Sequence, residues 1–323
     1  MRQARPMNDS FLSIRDVLHQ AQSIAIMAHQ NPDGDAIGAS CALGLALKEA
    51  GKDVTVFLEP YGDVFSMIPT GDLVCHQGPE GMTVDVAVAL DCGDKERIGL
   101  AGTLFSQTEN TINIDHHISN QGYGKFSYVD GNASSASELV YDLLSGWLPL
   151  NPEIATALYT GLVFDTGGFR HSSTGVHTME IAARLMAFDV PFTKIYNDIF
   201  FSRSLAEAKA LGKALAEMEV LLDGKALLSA LSLEDLSRLG AGPADTSEIS
   251  GYLKGVRPSQ VAALCYEKEP GVWKVSMRSE DSVDVSALCV SFGGGGHKKA
   301  AGCTIRGTKE EVLATIREAL QGR

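Results

Sequence analysis

Residues 23–38 read SIAIMAHQNPDGDAIG, and this stretch decides the fold of the first half of the chain. The apolar run at 23–28 predicts a buried strand, and the pattern at 36–50 predicts a helix with an apolar face. Gly34 separates two acids and lets both turn toward one point. Three side chains with carboxylate or imidazole donors stand between strand and helix: His29, Asp33 and Asp35. Because an aspartate at a helix start is also an ordinary cap, this segment alone does not distinguish a site from a cap.

The alternation of strand and helix continues along the chain. Further strands are predicted at 53–58, 85–90 and 111–114, and further helices at 135–146, 153–164 and 176–187. Beyond residue 204 the elements are mixed, with helices predicted at 205–219, 283–291 and 308–320 and strands at 226–232, 261–266, 272–278 and 303–306. We interpret 241–257 as a loop. Strands separated by helices favour a doubly wound, mainly parallel sheet in the first part.

We therefore predict an α/β chain with two domains. The N-terminal domain, with the mainly parallel sheet, spans 1–190, a linker spans 191–204, and a smaller α+β domain spans 205–323. The length of 323 residues supports this division because it exceeds one ordinary hydrophobic core.

Composition limits the possible functions. The net charge of −13 argues against a protein that tracks long duplex DNA, but not against a short anionic substrate. No stretch is apolar and long enough to cross a bilayer, and the polar start MRQARPMNDS lacks the core of a signal peptide. The six cysteines form no CxxC pair, which favours reduced thiols and a cytoplasmic location. Whether Met1 or Met7 begins the chain stays open.

Three more acidic segments follow predicted strands or a helix. They are Asp91-Cys92-Gly93, Asp115-His116-His117 and Asp165-Thr166-Gly167-Gly168. One aspartate after a strand is often a turn residue, but ligands of open α/β sheets bind beyond the carboxyl ends of the strands. Four such segments with histidines among them predict a site for divalent cations. Oxygen donors with a few imidazoles suit Mn²⁺ or Mg²⁺, with Co²⁺ as a substitute, and two ions are usual in phosphoryl chemistry.

A glycine run in the second half is the remaining signal. Residues 292–302 read FGGGGHKKAAG. Glycines expose backbone N–H groups to a phosphate, and His297 and Lys298 add donors. A flexible connection between helix and strand is the alternative interpretation.

Taken together, these motifs resemble those of the DHH/DHHA1 phosphoesterases. The resemblance covers nearly the whole chain and rests on HQNPDGDAIG at 29–38, ALDCG at 89–93, DHH at 115–117, YTGLVFDTGGFR at 159–170 and FGGGGHKKAAG at 292–302. Within the family the chain looks like the bacterial nanoRNase type, which degrades short RNA and removes phosphate from 3′-phosphoadenosine 5′-phosphate. Cys92 departs from the family pattern, in which another small residue often follows the aspartate that corresponds to Asp91.

The resemblance implies a role for each matching residue. One ion would be held by His29, Asp33 and Asp91, and the second by Asp35, Asp91, His116 and Asp165. Asp115 would orient the ring of His116, and His117 would face the substrate phosphate as a donor or proton source. Substrate phosphate would be bound by Arg278, His297, Gly294, Gly295, Gly296, Lys298 and Arg170.

The implied activity is dinuclear, metal-dependent hydrolysis of short oligoribonucleotides and linear dinucleotides to mononucleotides, and of 3′-phosphoadenosine 5′-phosphate to AMP. Four alternatives stay open on the sequence: a cyclic-dinucleotide phosphodiesterase, an inorganic pyrophosphatase, a single-strand exonuclease, and a non-enzymatic nucleotide-binding protein. Members of the family often pair through the DHH domain, so a homodimer is also expected.

Overall fold

The structure, a computed structural model, describes residues 9–280 and 282–322, so the choice between Met1 and Met7 lies outside the described residues. The chain divides into two units, Met1–Ser202 and Arg203–Arg323. The division falls within the segment predicted as a linker. Much of that segment is helical: an α-helix at Phe192–Tyr196 continues as a π-helical turn at Asn197–Phe201.

The first unit is built on a six-stranded sheet in which every pair of neighbours is parallel. Its strands are β1 Ser23–Met27, β2 Asp53–Phe57, β3 Val74–Cys75, β4 Val86–Leu90, β5 Asn110–Asp115 and β6 Phe126–Val129. The order β3-β2-β1-β4-β5-β6 confirms the doubly wound parallel sheet. Because the chain first builds outward from β1 and then returns to its other side, the order reverses between β1 and β4, where such sheets bind ligands.

Helices cover both faces of this sheet. They are α1 Phe11–Gln20, α2 Gly34–Glu49, α3 Gly102–Gln107, α4 Ala136–Leu144, α5 Pro152–Asp165, α6 Val176–Met186 and α7 Phe192–Tyr196. Alternate residues of β1 point to opposite layers: Ile24 and Ile26 join a large core with α1, α2, α4, α5 and α6, whereas Ala25 and Met27 join a smaller one with α3. Helices α2 and α5 approach closely, since a Cβ on Gly38 would lie 2.5 Å from the Ala157 carbonyl oxygen.

The second unit contains a mixed sheet with the order β11-β12-β10-β9-β8-β7. Its strands are β7 Glu219–Leu221, β8 Ala226–Leu231, β9 Val261–Glu269, β10 Val272–Ser279, β11 Gly295–His297 and β12 Ala300–Arg306. Strands β8 and β9 are parallel and the other pairs are antiparallel. Its helices are α8 Leu205–Ala216, α9 Leu233–Leu239, α10 Ile249–Gly255, α11 Val285–Ser291 and α12 Lys309–Gln321.

One interpretation and one alternative for the second unit need correction. The segment 241–257 is not a plain loop, because it contains a 3-10 turn at Pro243–Thr246 and the helix α10. The end of the glycine run is not a flexible connection, because Gly295–His297 pair with β12 as an edge strand. Among the described residues, every helix is too short or too polar to span a membrane.

Candidate metal centre

The sheet of the first unit places the predicted ligands at one edge. His29 follows β1, Asp91 follows β4, and Asp115 ends β5, and these three strands are neighbours. Asp33 and Asp35 lie at the start of α2, directly beyond β1, and Asp165 is the last residue of α5. The carboxyl ends of adjacent parallel strands therefore bring together residues that are far apart in the sequence.

One cluster consists of His29, Asp33 and Asp91, whose ligand atoms lie within 4.8 Å of one another. The Nε2 atom of His29 is 3.7 Å from Asp91 Oδ2 and 3.9 Å from Asp33 Oδ2. The other ring nitrogen, Nδ1, is 2.8 Å from the carbonyl oxygen of Gln30. Because a carbonyl only accepts, Nδ1 carries a hydrogen, and Nε2 is the ring nitrogen that faces the carboxylates.

A second cluster consists of Asp35, His116 and Asp165. The Nε2 atom of His116 is 3.7 Å from Asp165 Oδ2 and 4.0 Å from Asp35 Oδ2. The same nitrogen is 3.3 Å from Asp91 Oδ1. The two oxygens of Asp91 therefore face different clusters, Oδ2 toward His29 and Oδ1 toward His116.

Backbone amides fix the two acids of α2. Asp33 caps this helix and accepts hydrogen bonds from the backbone N–H groups of Asp35 and Ala36, at 3.0 and 3.1 Å. Asp35 is fully buried, and its carboxylate accepts from the N–H groups of Ala136 at 2.6 Å and Ser137 at 2.9 Å, at the start of α4. Asp33 is thus both a cap and a cluster member, so the two interpretations of the 23–38 segment are compatible.

The contacts of Asp115 differ from the expectation that it orients the ring of His116. Its Oδ1 atom accepts from the ring Nδ1 of His117 at 2.8 Å and from the backbone N–H of His116 at 2.8 Å. The carboxylate is fully buried and therefore needs donors close by in the chain. The DHH sequence lets either ring reach the carboxylate, and in the structure it is the second histidine that does so.

The clusters create a strongly negative field. Burial by itself lowers the pKa of His116, but Asp91 and Asp35 outweigh it and raise the pKa to about 10. Burial also opposes protonation of His29, yet Asp91 and the Gln30 carbonyl raise its pKa to about 9. Burial, followed by repulsion from Asp91, raises the pKa of Asp33. A site that holds protons this firmly attracts positive charge.

The donors fit divalent cations. Burial alone would raise the pKa of Asp91, but the imidazoles of His116 and His29 hold it well below its ordinary value, so this central carboxylate is ionised. Its Oδ1 atom is buried and finds no hydrogen-bond donor among the residues that the structure describes. A charged, buried carboxylate that faces imidazole nitrogens and other carboxylates matches what Mn²⁺ or Mg²⁺ coordinates once the ion displaces the ring protons.

In the second unit, the sheet places two of the predicted phosphate-binding residues in one row. Arg278 of β10 and His297 of β11 both pair with Ala300 of β12, so the three side chains emerge on the same face. Arg278 is half-buried, and its Nη1 donates to the Met277 carbonyl oxygen at 3.1 Å. Lys298, in the turn after β11, is exposed, as is Arg170 in the first unit.

The glycines of the run differ in what requires them. A Cβ on Gly294 would lie 2.2 Å from the Gly302 carbonyl oxygen, and Gly296 has a φ of +143° beside the Ala300 carbonyl. These two glycines are required by the close approach of β11 to β12. A Cβ on Gly295 would meet nothing within 4 Å. Packing therefore accounts for Gly294 and Gly296, and Gly295 faces open space.

Sequence reasoning missed Asn120, which is buried beneath the DHH segment and donates to Asp115 Oδ2 at 2.6 Å. Its only signal in the sequence is an amide five residues after Asp115. Cys92, the departure from the family pattern, is buried and donates its thiol to the Asp94 carbonyl oxygen at 3.1 Å. That contact keeps the sulfur engaged with the loop after Asp91.

A doubly wound sheet that gathers five carboxylates and three imidazoles beyond its strand ends is typical of metal-dependent phosphoester hydrolases. The family model described as the DHH family, N-terminal domain, matches residues 23–162, and that of the DHHA1 domain matches residues 223–322. The chain belongs to the DHH/DHHA1 family of phosphoesterases, as its motifs predicted.

Relatives match the chain along nearly its whole length. A Thermus thermophilus protein named bifunctional oligoribonuclease and PAP phosphatase NrnA is 31% identical over 319 residues, 92% of this chain and 90% of the relative. A Bacillus subtilis protein of the same name is 27% identical over 305 residues, 91% and 93% of the two chains. Among solved structures, an exopolyphosphatase-related protein from Bacteroides fragilis is similar with a TM-score of 0.85, 25% identity, and coverage of 97% and 95%.

Proposed function

We propose that the chain hydrolyses short oligoribonucleotides and linear dinucleotides to mononucleotides, and 3′-phosphoadenosine 5′-phosphate to AMP. The observation that carries the proposal is the complete ligand set of the two clusters. The chain supplies it within a sequence that relatives named oligoribonuclease and PAP phosphatase match over 92% and 91% of its length. A chain that only binds nucleotides has no need of this full set.

Two divalent ions are proposed as cofactors, with Mn²⁺ the best fit and Mg²⁺ or Co²⁺ as substitutes. His29, Asp33 and Asp91 would hold one ion, and Asp35, Asp91, His116 and Asp165 the other. When bound, such ions supply the Lewis acidity that makes water a nucleophile near neutral pH and offsets negative charge on phosphoryl oxygens. The shared position of Asp91 means that its loss affects both ions.

The two remaining residues at these strand ends are His117, which we assign to the substrate, and Asp115, which we assign to the His117 ring. Asp115 accepts a hydrogen bond from Nδ1 of His117, and the His117 ring is part-exposed. The other ring nitrogen, Nε2, is therefore available to a phosphoryl or leaving-group oxygen. Asp115 therefore acts by setting the orientation of this ring. We assign His117 to the reacting phosphate as a donor or proton source.

The second unit would supply phosphate binding. Arg278 offers a planar set of donors suited to a phosphate, and His297 stands in the same row of the sheet. Gly295 leaves room for close approach, and the exposed Lys298 adds positive charge. In the first unit, the exposed Arg170 is proposed as a further phosphate contact. Gly294 and Gly296 contribute by forming the edge strand that carries His297.

The first test is product release by the purified, Mn²⁺-loaded chain. The substrates are a 5′-phosphorylated diribonucleotide, a long RNA, 3′-phosphoadenosine 5′-phosphate, a cyclic dinucleotide and pyrophosphate. Fastest turnover of the diribonucleotide, with or without the adenosine bisphosphate, supports the proposal. Fastest turnover of pyrophosphate, the cyclic dinucleotide or the long RNA would replace the substrate assignment while leaving the metal centre in place.

Two substitutions separate the metal centre from substrate binding. Asp91→Asn should abolish turnover, and near-normal turnover would refute the shared-ligand assignment. Arg278→Ala should raise KM about tenfold or more, the effect of losing a charged hydrogen bond. Arg306→Ala is the control, because Arg306 lies at the far end of the same sheet, beside Val272. Equal KM values for the two arginine variants would remove Arg278 from the binding site.

Two further properties are proposed. The six cysteines are all free thiols in the structure, which supports a cytoplasmic location. A homodimer paired through the first unit is expected from the family resemblance. Light scattering coupled to size exclusion tests the dimer, and fractionation of cells that express the chain tests its location.

A further inference from the structure

One buried side chain links several parts of the metal-centre edge. The Nδ2 atom of Asn120 lies 2.6 Å from Asp115 Oδ2, 2.9 Å from Asn113 Oδ1 and 3.3 Å from the Cys92 carbonyl oxygen. Asn120 is 2% exposed, and Asp115 and Asn113 are fully buried. The amide thus joins the loop after β4, the middle of β5 and the carboxylate that ends β5.

The available hydrogens decide which contacts dominate. An asparagine amide has two N–H groups, so three acceptors cannot all be served in full. The Cys92 carbonyl also accepts from the Tyr123 hydroxyl at 2.8 Å, so it has another donor. The two N–H groups of Asn120 are therefore directed to Asp115 and Asn113, the nearer acceptors.

Asn120 also fixes the backbone that carries His117. The backbone N–H of Asn120 donates to the His117 carbonyl oxygen at 3.0 Å, and this hydrogen bond closes a four-residue turn over 117–120. Its Oδ1 accepts from the Gly122 N–H at 2.8 Å. Ile118, inside this turn, is 85% exposed, so the apolar core contributes little to holding the turn.

These contacts distribute the two oxygens of Asp115. Oδ2 receives Asn120, which leaves Oδ1 for the ring of His117 and the backbone N–H of His116. Without the amide, Oδ2 would lose its donor in a buried setting, and the carboxylate would be held through Oδ1 alone. The His117 ring would then lose its defined orientation.

We propose that Asn120 is a positioning residue for the reaction: it fixes Asp115, and through Asp115 it orients the His117 imidazole at the substrate phosphate. The inference rests on the proposed role of His117 at the reacting phosphate. Asn120 does not touch substrate, and its effect is carried by hydrogen bonds alone.

The test is a double-mutant cycle in the Mn²⁺-loaded full chain, with Asn120→Ala, His117→Ala and both together. Asn120→Ala should lower kcat about 10- to 100-fold, the usual effect of losing a partner of a site residue, and change KM little. In the His117→Ala background the same substitution should have almost no effect on kcat, because its target is gone. A general structural role would instead lower kcat by the same factor in both backgrounds, and this result would overturn the proposal.

A matched control and a second variant complete the design. Asn132 also donates its amide to an aspartate two residues away, Asp130 Oδ1 at 2.8 Å, but on an exposed loop, so Asn132→Ala should keep wild-type kcat. If Asn120→Ala does not fold, Asn120→Leu keeps the approximate size of the side chain while it removes both donors. Wild-type kcat in whichever of the two variants folds would refute the proposal.

A readout independent of turnover uses proton NMR of the chain loaded with diamagnetic Mg²⁺, because paramagnetic Mn²⁺ would broaden signals beside the metal centre. A histidine ring N–H bonded to a buried carboxylate exchanges slowly and resonates downfield, and the His117 signal is identified by its loss in His117→Ala. That signal should disappear in Asn120→Ala and persist in Asn132→Ala. Kinetic assays use whichever substrate of the panel the wild-type chain hydrolyses fastest, so the result is separable from failure of the short-RNA assignment. Persistence of the signal in Asn120→Ala would contradict the proposal.

Discussion

Asp35 Oδ2 accepts a 2.6 Å hydrogen bond from the backbone N–H of Ala136, a residue 101 positions further along the chain. The contact places a metal-centre carboxylate against the N-terminus of α4, where helix N–H groups favour negative charge. Asp165, in the same cluster, is 30% exposed and lies at the C-terminal end of α5. Of these two members of one cluster, Asp35 is therefore bonded to another helix, whereas Asp165 is partly exposed to solvent.

This difference predicts unequal effects on stability. Burial and then Asp91 and Asp165 raise the pKa of Asp35, so its charge is also disfavoured in the metal-free fold. Asp35→Asn should nevertheless leave the metal-free chain about 1–3 kcal/mol less stable than Asp165→Asn does, because an amide cannot accept at both atoms and leaves a buried N–H unpaired. Asp165→Asn should raise metal-free stability, because burial and then Asp91 and Asp33 raise the pKa of Asp165 and so disfavour its charge in the fold. Both variants should lose more activity than the ~10- to 100-fold typical of outer partners.

Thermal melting in chelator measures the two stabilities. If Asp35→Asn melted at the same temperature as Asp165→Asn, the bond to α4 would be of no energetic importance. If Asp165→Asn melted below the wild type, carboxylate repulsion would not be what limits the metal-free fold.

Removing metal should destabilise the wild-type chain. An ion that binds only the folded state adds about 2.7 kcal/mol at a concentration 100 times its Kd. Chelation should therefore lower the melting temperature of wild type but leave Asp91→Asn nearly unchanged, since that variant lacks the shared ligand. An equal shift in both proteins would mean that the ions bind elsewhere.

Substitutions can separate the structural role of Gly294 from the proposed substrate-binding role of Gly295. Gly294→Ala should destabilise the second unit, because its Cβ would lie 2.2 Å from the Gly302 carbonyl oxygen and 2.6 Å from Cys303 Cβ. Gly295→Ala should fold normally but raise KM, because only an approaching ligand competes for the space beside it. Melting and steady-state kinetics on both variants measure the two effects. A Gly295→Ala variant with normal KM would exclude this glycine from substrate binding.

A pH dependence is expected in the second unit, where Asp235 joins three helices. Its carboxylate caps α9 through Ser232 and contacts Lys213 of α8 and Lys309 of α12, each at 3.2 Å. Although partial burial alone would raise the pKa of Asp235, the hydrogen bonds from Ser232 and the two lysines lower it below its ordinary value. A depressed folded pKa gives stability that is present above the unfolded pKa of about 3.9 and lost as pH falls below it.

Asp235→Asn should therefore cost about 1–2 kcal/mol at pH 7, a figure reduced for solvent screening, and less below pH ~4. Urea unfolding followed by Trp273 fluorescence, in a Trp147→Phe background, reports on the second unit, because Trp273 is buried in its core. Asp223→Asn, an exposed neighbour in the same unit, is the control. A loss that is the same at pH 3 and pH 7 would contradict the ionic explanation.

The sequence predicted the first unit well because buried parallel strands are continuous apolar runs. The run at 85–90 matches β4 within one residue. Strand β6, Phe126–Val129, was missed because it is short and only partly buried. Strand β11 was missed because glycine has a low preference for strands, and only pairing with β12 holds it there.

The site was predictable in composition but not in connectivity. Aspartates and histidines that follow predicted strands indicated a cation site, because the carboxyl ends of neighbouring parallel strands lie at the same edge of the sheet. The choice between His116 and His117 as the partner of Asp115 was not readable, because it depends on how the turn after β5 folds. Asn120 was equally hidden, since its role comes from burial beneath that turn.

The positions of the ligands have a consequence for synthesis of the protein. The first proposed ligand, His29, follows β1, and the last, Asp165, ends α5; strand β4 pairs with β1 only after β2 and β3 have been made. An emerging chain therefore cannot complete the metal centre until about half of it has left the ribosome. Binding of the proposed ions would then report that the sheet of the first unit has formed.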